Sequence, residues 1–446
     1  MLQKKVTNYK KITFSYVLYF ILSIIIFILA VNDEHIISII ISPLLCLIYL
    51  RIFFKDINSL FDFRTIYLLS IFTWSFAKSI SIIQDYDFYY VNVKFLDSIL
   101  YYIIALIITP NFVFIFKCDT YSIITIDAKN DNDFMLISKT LLLTTFIYMI
   151  HYASRLMDEP LNFIFKQLSQ GLVLVISGAA IIMLCQKITI LRSIVVLIVS
   201  LGLILLLSMD GNSRTFLLLP VTLITLSILI NNKIKKPNLL FKLFILSALF
   251  ISILTSDLMK KNDVQLTEII TNNTEYTLSI NELIYESNFL PEKYSALNYF
   301  ESINAIIVNE DLIPMGLLYQ FMSIITPRQI FIEKEVVDLS KKMWDRGRVP
   351  QPLYYEIFLE PIIDSGIFGV FFYFIILLLF IKISEYLIKS QKGFKFYYFR
   401  SVYILNLITM FYVIRGPAIF LAWYALIPNL IIWALLIHDR AFIKNR

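Results

Sequence analysis

Apolar residues fall along this chain in long, nearly unbroken runs, separated by short polar stretches that carry most of the charge. Twelve runs lie near residues 12–31, 36–54, 64–83, 95–116, 136–153, 161–184, 190–208, 213–230, 239–257, 357–381, 398–414 and 417–437. A helix rises 1.5 Å per residue, so about 20 apolar residues cross the roughly 30 Å hydrocarbon core of a bilayer. Each run reads as one spanning α-helix, because a helix satisfies its backbone polar groups within the segment. The shortest connections separate the seventh run from the eighth and the eleventh from the twelfth, so these two divisions rest on tight turns.

One stretch departs from the pattern. Residues 258–356 form a segment of 99 residues without a spanning run. Within it, Ile280–Ile307 and Ile330–Trp344 space their apolar residues as amphipathic helices do. Pro291, Pro314, Pro327, Pro350 and Pro352 punctuate them. The expected organisation is a bundle of nine spans over 1–257, a large loop with short amphipathic helices over 258–356, and three further spans over 357–446. No internal repeat is evident.

Composition sharpens this picture. Hydrophobic residues make up 59% of the 446 and charged residues 16%, against roughly 25% charged in soluble domains. A soluble enzyme, a disordered chain and a collagen-like repeat are excluded. The net charge of +6 is modest, and the basic residues sit in short loops rather than on one soluble face, which argues against a nucleic-acid partner. Cys46, Cys118 and Cys185 show no metal-type spacing and read as free thiols. Lys4, Lys5, Lys10 and Lys11 precede the first run, which is too long for a signal peptide and lacks a small-residue cleavage site, so it reads as a retained span.

Lysine and arginine in the short connections set the orientation. With the N-terminus inside, the inside segments carry 23 of them and the short outside loops 4, namely Lys94, Arg155, Arg214 and Arg415. Both termini are therefore expected to be cytoplasmic, with 258–356 outside.

The outside arginines run against this bias and so invite a chemical role. Arg214 lies in Gly211–Asn212–Ser213–Arg214–Thr215, and Arg415 in Ile414–Arg415–Gly416–Pro417; Arg328 follows Pro327 in the large loop, which also holds Arg346 and Arg348. Guanidinium is always charged and grips phosphate in a fork geometry. Several arginines on one outer cavity would hold a diphosphate without a metal. Pairing with nearby acids such as Asp210, or snorkelling to headgroups, is the plainer reading.

Carboxylates come next. Glu356, Glu360 and Asp364 stand at i, i+4 and i+8, which places them on one helix face. Carboxylates at membrane depth mark function or a paired partner. Pro361, Gly366 and Gly369 nearby predict a kinked helix. Lys78 and Asp97 read as a structural ion pair, and His151 as a hydrogen-bonded residue near the outer end of the fifth span. Motifs for zinc hydrolysis, ATP-driven transport and serine hydrolysis do not occur.

With these residues in place, the chain resembles the O-antigen polymerase family of oligosaccharide repeat-unit polymerases. The resemblance covers most of the chain. It rests on about a dozen spans with both termini inside, a late large outside loop, Gly211–Thr215, Pro327–Arg328 followed by Lys334, Glu356 through Gly369, and Arg415–Gly416. It implies an all-α polytopic protein of the bacterial inner membrane with a polyprenol-glycosyltransferase (GT-C-like) fold. It also implies an undecaprenyl-diphosphate-linked glycan as substrate, membrane lipid around the protein and a chain-length regulator protein as partner. No cofactor or metal is expected.

The residues' own chemistry fits. An anomeric carbon that loses diphosphate develops oxocarbenium character, as in glycoside hydrolysis, and the leaving group needs positive charge already in place. Arg214 and Arg415 are expected on the diphosphate and Arg328 completes that site. Glu356 or Glu360 orients or deprotonates the acceptor hydroxyl. Rival readings are an O-antigen ligase, whose family places a histidine in the large loop where this chain has none, a repeat-unit flippase or other transporter resting on Lys78, Asp97 and Lys166, and a non-catalytic scaffold.

Overall fold

The computed structural model of the chain describes residues 2–32, 34–53, 61–84, 96–115, 134–157, 161–186, 189–209, 214–230 and 393–415, with 300, 303, 304 and scattered positions from 362 to 386. Every regular element among them is α-helical. The helices are α1 (Leu2–Val31), α2 (His35–Ile41), α3 (Pro43–Phe53), α4 (Phe63–Gln84), α5 (Leu96–Ile115), α6 (Phe134–Ser154), α7 (Leu161–Leu184), α8 (Ile190–Ser208), α9 (Arg214–Leu229) and α10 (Phe394–Arg415). Nine of the twelve apolar runs coincide with them, α2 and α3 sharing one run. The runs at 239–257 and 417–437 and the loop 258–299 lie outside the described residues.

Four stretches are long and apolar enough to cross a bilayer: Phe14–Val31, His35–Phe53, Phe134–Ser154 and Ile190–Ser208. In the first, third and fourth, 22%, 22% and 17% of positions are buried in protein. The rest is apolar surface, with Phe20, Leu142 and Ile190 at 66%, 73% and 84% exposure. Soluble proteins do not expose apolar faces of this extent; lipid accepts them.

The chain divides into two compact units, and each takes separated segments. The first comprises Met1–Cys118, Asn288–Leu379 and Met410–Phe420, the second Asp119–Ser287, Phe380–Thr409 and Leu421–Arg446. Helices α1–α5 belong to the first; α6–α9, and α10 as far as Thr409, belong to the second. The boundaries drawn from hydropathy at 257 and 356 fall outside the described residues.

In the first unit α1 packs on α2, α3 and α5, while α4 packs on α2, α3 and α5. α1 starts at Leu2, well before the apolar run, because its lysines are good helix formers and need no lipid. Its 30 residues reach about 45 Å. The run at 36–54 breaks at Ser42–Pro43, since proline has no N–H to donate to the Ile39 carbonyl. Two hydroxyls replace that donor: Ser42 Oγ donates to Ile39 O at 2.8 Å and Ser79 Oγ of α4 at 3.2 Å. Pro110 lies inside α5, where side chains of α1 and α3 converge one residue past the carbonyl it leaves without a donor. Tyr19 Oη and Asn111 Nδ2 both donate to Ile107 O, the latter at 3.0 Å, and Tyr49 Oη donates to Asn111 Oδ1 at 2.6 Å. Asp62 caps α4, accepting from Arg64 N at 2.9 Å and pairing with its guanidinium at 2.7 Å.

In the second unit the side chains fix helix directions. His151 meets Ser169, Tyr148 meets Ser177 and Thr140 meets Met183. Residue number falls on α6 as it rises on α7, so these two helices are antiparallel. Tyr148 donates to Val199 O at 3.1 Å and Arg155 to Leu206 O, two contacts at one sequence offset of 51. α6 and α8 are therefore parallel. Ile181, Cys185 and Val199 form the core between α7 and α8, with Ile224 and Ile228 of α9 packed against it. α10 is buried at every position from Phe399 to Thr409. Gly178 of α7 admits it closely: a Cβ there would lie 2.2 Å from Ser401 Oγ.

Candidate functional site

The parallel α6 and α8 both end at one end of the second unit. The antiparallel α7 begins there, and so does α9, which follows α8 after residues 209–213. Polar side chains gather at this end of otherwise apolar helices. His151 is fully buried, and its Nδ1 shares a 2.6 Å hydrogen bond with Ser169 Oγ. Ser169 Oγ also lies 3.1 Å from Lys166 O, and with its hydrogen directed there Nδ1 is the donor to Ser169. Ser154 Oγ donates to His151 O at 2.7 Å, closing the last turn of α6. Gln170, 4% exposed, carries an Nε2 without a hydrogen-bond partner.

Arg155 stands just past α6, partly buried, and its Nη2 donates to Leu206 O in the last turn of α8. A helix leaves its last four carbonyls without N–H partners of its own, and its C-terminus carries partial negative charge. A guanidinium answers both. The α6–α7 register puts Lys166 about level with Arg155 across the helix pair. This end therefore collects guanidinium, ammonium, imidazole and amide N–H groups. Donors fixed in place stabilise an anion or the charge that develops on a leaving group.

Arg214 is the first residue of α9 and Arg415 the last of α10. Both arginines thus stand at helix ends; their side chains lie outside the described residues. Arg328, Glu356 and Glu360 lie outside the described residues altogether, as do Asp364, Arg346 and Arg348. In the tenth run, Gly366 has a φ of +60°, the left-handed region that favours glycine. Among the described residues no three His, Cys, Asp or Glu side chains lie close enough to hold a metal ion.

Lys78 and Asp97 do not meet as expected. Lys78 is buried six residues before the end of α4, whereas Asp97 is exposed in the first turn of α5. Asp97 is favoured where it is by the positive end of α5. His151 is the hydrogen-bonded residue its position predicted. Cys46 and Cys185 are buried and form no disulfide.

Sequence reasoning singled out Lys166 but passed over Ser169, Gln170 and the Arg155–Leu206 contact. Lys166, Gln167, Ser169 and Gln170 do form a polar cluster early in an apolar run. That cluster was a usable signal for two of the three, whereas a side chain bound to a backbone carbonyl leaves none.

No protein-family model matches the chain, no curated protein matches it in sequence, and no solved structure matches it in fold.

Proposed function

We propose that this chain is a membrane glycosyltransferase that polymerises undecaprenyl-diphosphate-linked repeat units at the outer face of a bacterial inner membrane. The reading includes twelve spans, both termini cytoplasmic, a GT-C-like fold and the loop 258–356 in the periplasm. The observation that carries it is the polar end of α6–α8, where Arg155 caps the last turn of α8 and the next helix, α9, opens on Arg214 of the Gly211–Thr215 pattern. In the proposed topology that end faces the periplasm, where positive charge is otherwise disfavoured.

The reaction breaks the bond between the anomeric carbon of the growing glycan and its lipid diphosphate, and joins that carbon to a hydroxyl of the incoming unit. Arg214 and Arg415 take the charge of the departing diphosphate, and Arg328 completes the site from the loop. Glu356 or Glu360 accepts the hydroxyl proton. Fixed cations lower the barrier because they need no reorganisation as charge develops.

The test is the surface-glycan ladder from cells lacking the protein, then complemented. A single repeat unit on the lipid core, restored to a ladder by the wild-type chain but not by an Arg214→Ala, Arg328→Ala, Arg415→Ala triple variant, is the expected result. Polymer held on its carrier and never transferred would make the protein a ligase. Single lipid-linked units trapped inside the cell would make it a flippase. An unaltered ladder from the triple variant would remove the arginine mechanism.

A further inference from the structure

We infer that Arg155 is a positioning residue for the diphosphate site, clamping the end of α8 from which the chain turns into α9 and Arg214; this rests on the polymerase reading above. Leu205 O in the last turn of α8 is already occupied by the N–H of Met209 and the hydroxyl of Ser208. The next carbonyl, Leu206 O, takes the Arg155 guanidinium instead. Tyr148 makes the matching contact two turns deeper, donating to Val199 O at the same offset, with its hydroxyl oxygen 2.9 Å from Ser177 Oγ of α7. Gly202 lets its ring lie close, since a Cβ there would meet Tyr148 Cε2 at 3.1 Å. α6 therefore holds α8 at two levels, and Arg155 is the outer one.

In this proposal Arg155 acts through the chain rather than on the substrate. Its Nη2 is committed to a main-chain carbonyl, and that carbonyl lies eight residues before Arg214. Freed from this contact, the last turn of α8 loses a cap, and the start of α9 loses its fixed height. A misplacement of about 1 Å at a positioned group costs on the order of 100-fold in rate.

The test uses the full chain in lipid nanodiscs with an undecaprenyl-diphosphate-linked repeat unit, comparing Arg155→Gln, Arg214→Gln and the double variant. We expect each single change to lower kcat/KM about 100-fold and the double variant to fall within about twofold of Arg214→Gln alone. Losses that multiply would make Arg155 an independent contact with the substrate and overturn the inference, as would wild-type activity in Arg155→Gln. A second arm needs no activity. A spin label on Met209→Cys, which lies exposed at the end of α8, is expected to gain mobility with Arg155→Gln and to recover part of its order with Arg155→Lys. An unchanged spectrum would overturn the clamp. A label that responds in a protein that makes no polymer from the lipid-linked unit would uphold the clamp and reject the polymerase reading.

Discussion

Pro43 leaves the Ile39 carbonyl without its helical donor, and Ser42 and Ser79 supply two hydroxyls in its place. In hydrocarbon no water can do so, which is why a proline inside a membrane helix needs side-chain partners nearby. Ser70 is the contrast: its Oγ donates to Ile66 O at 2.7 Å, inside the unbroken helix α4. Replacing both Ser42 and Ser79 by alanine is expected to cost about 1–3 kcal/mol, because a buried carbonyl loses its donors. Ser70→Ala is expected to cost almost nothing. Thermal unfolding in detergent measures both, and equal shifts would reject the account. The proline was plain in the sequence, but the serine that supports it from another helix was not. Nothing in Ser79's neighbours distinguishes it from the other hydroxyls of α4.

Helices in this protein pack where small residues permit. Gly178 of α7 faces Ser401 of α10, with Ser227 of α9 3.5 Å from where a Cβ would stand. Gly178→Ala sets the new methyl 2.2 Å from Ser401 Oγ and 3.3 Å from its Cβ. Rotation of the hydroxyl relieves the first clash and not the second. The expected cost is about 1–3 kcal/mol, with Ser401→Gly restoring most of it in the double variant. Additive losses in a double-mutant cycle would show that the two positions do not touch. The positions of these helices were legible beforehand, since run length and apolarity fix them. Their facing sides were not, because α10 is buried all round from Phe399 to Thr409, Arg400 included, and offers no period to read. α8 is the opposite case, outwardly so apolar that lipid and protein faces look alike in sequence.

At the scale of the molecule, apolar surface that water would reject covers α1, α6 and α8. Lipid is therefore part of the structure, and the proposed topology assigns a side of the membrane to every connection. Single cysteines in a chain with its own three replaced test that assignment. An impermeant maleimide given to outer-membrane-permeabilised cells is expected to label Asn288→Cys and to reach Asn232→Cys only after the inner membrane is opened. The reverse pattern would overturn the orientation drawn from lysine and arginine.

The sequence by itself determined that the chain is helical and suited to a membrane, and where nine of its helices lie. Transfer of a segment into hydrocarbon is a sum over that segment's own residues, so a local count suffices. The tertiary structure alone decided that α6 runs parallel to α8, that His151 meets Ser169, that Lys78 is buried while Asp97 is exposed, and that Arg155 caps α8. Such pairings depend on the register between segments far apart in the chain. An interior in which nearly every position is apolar gives no local signal of that register.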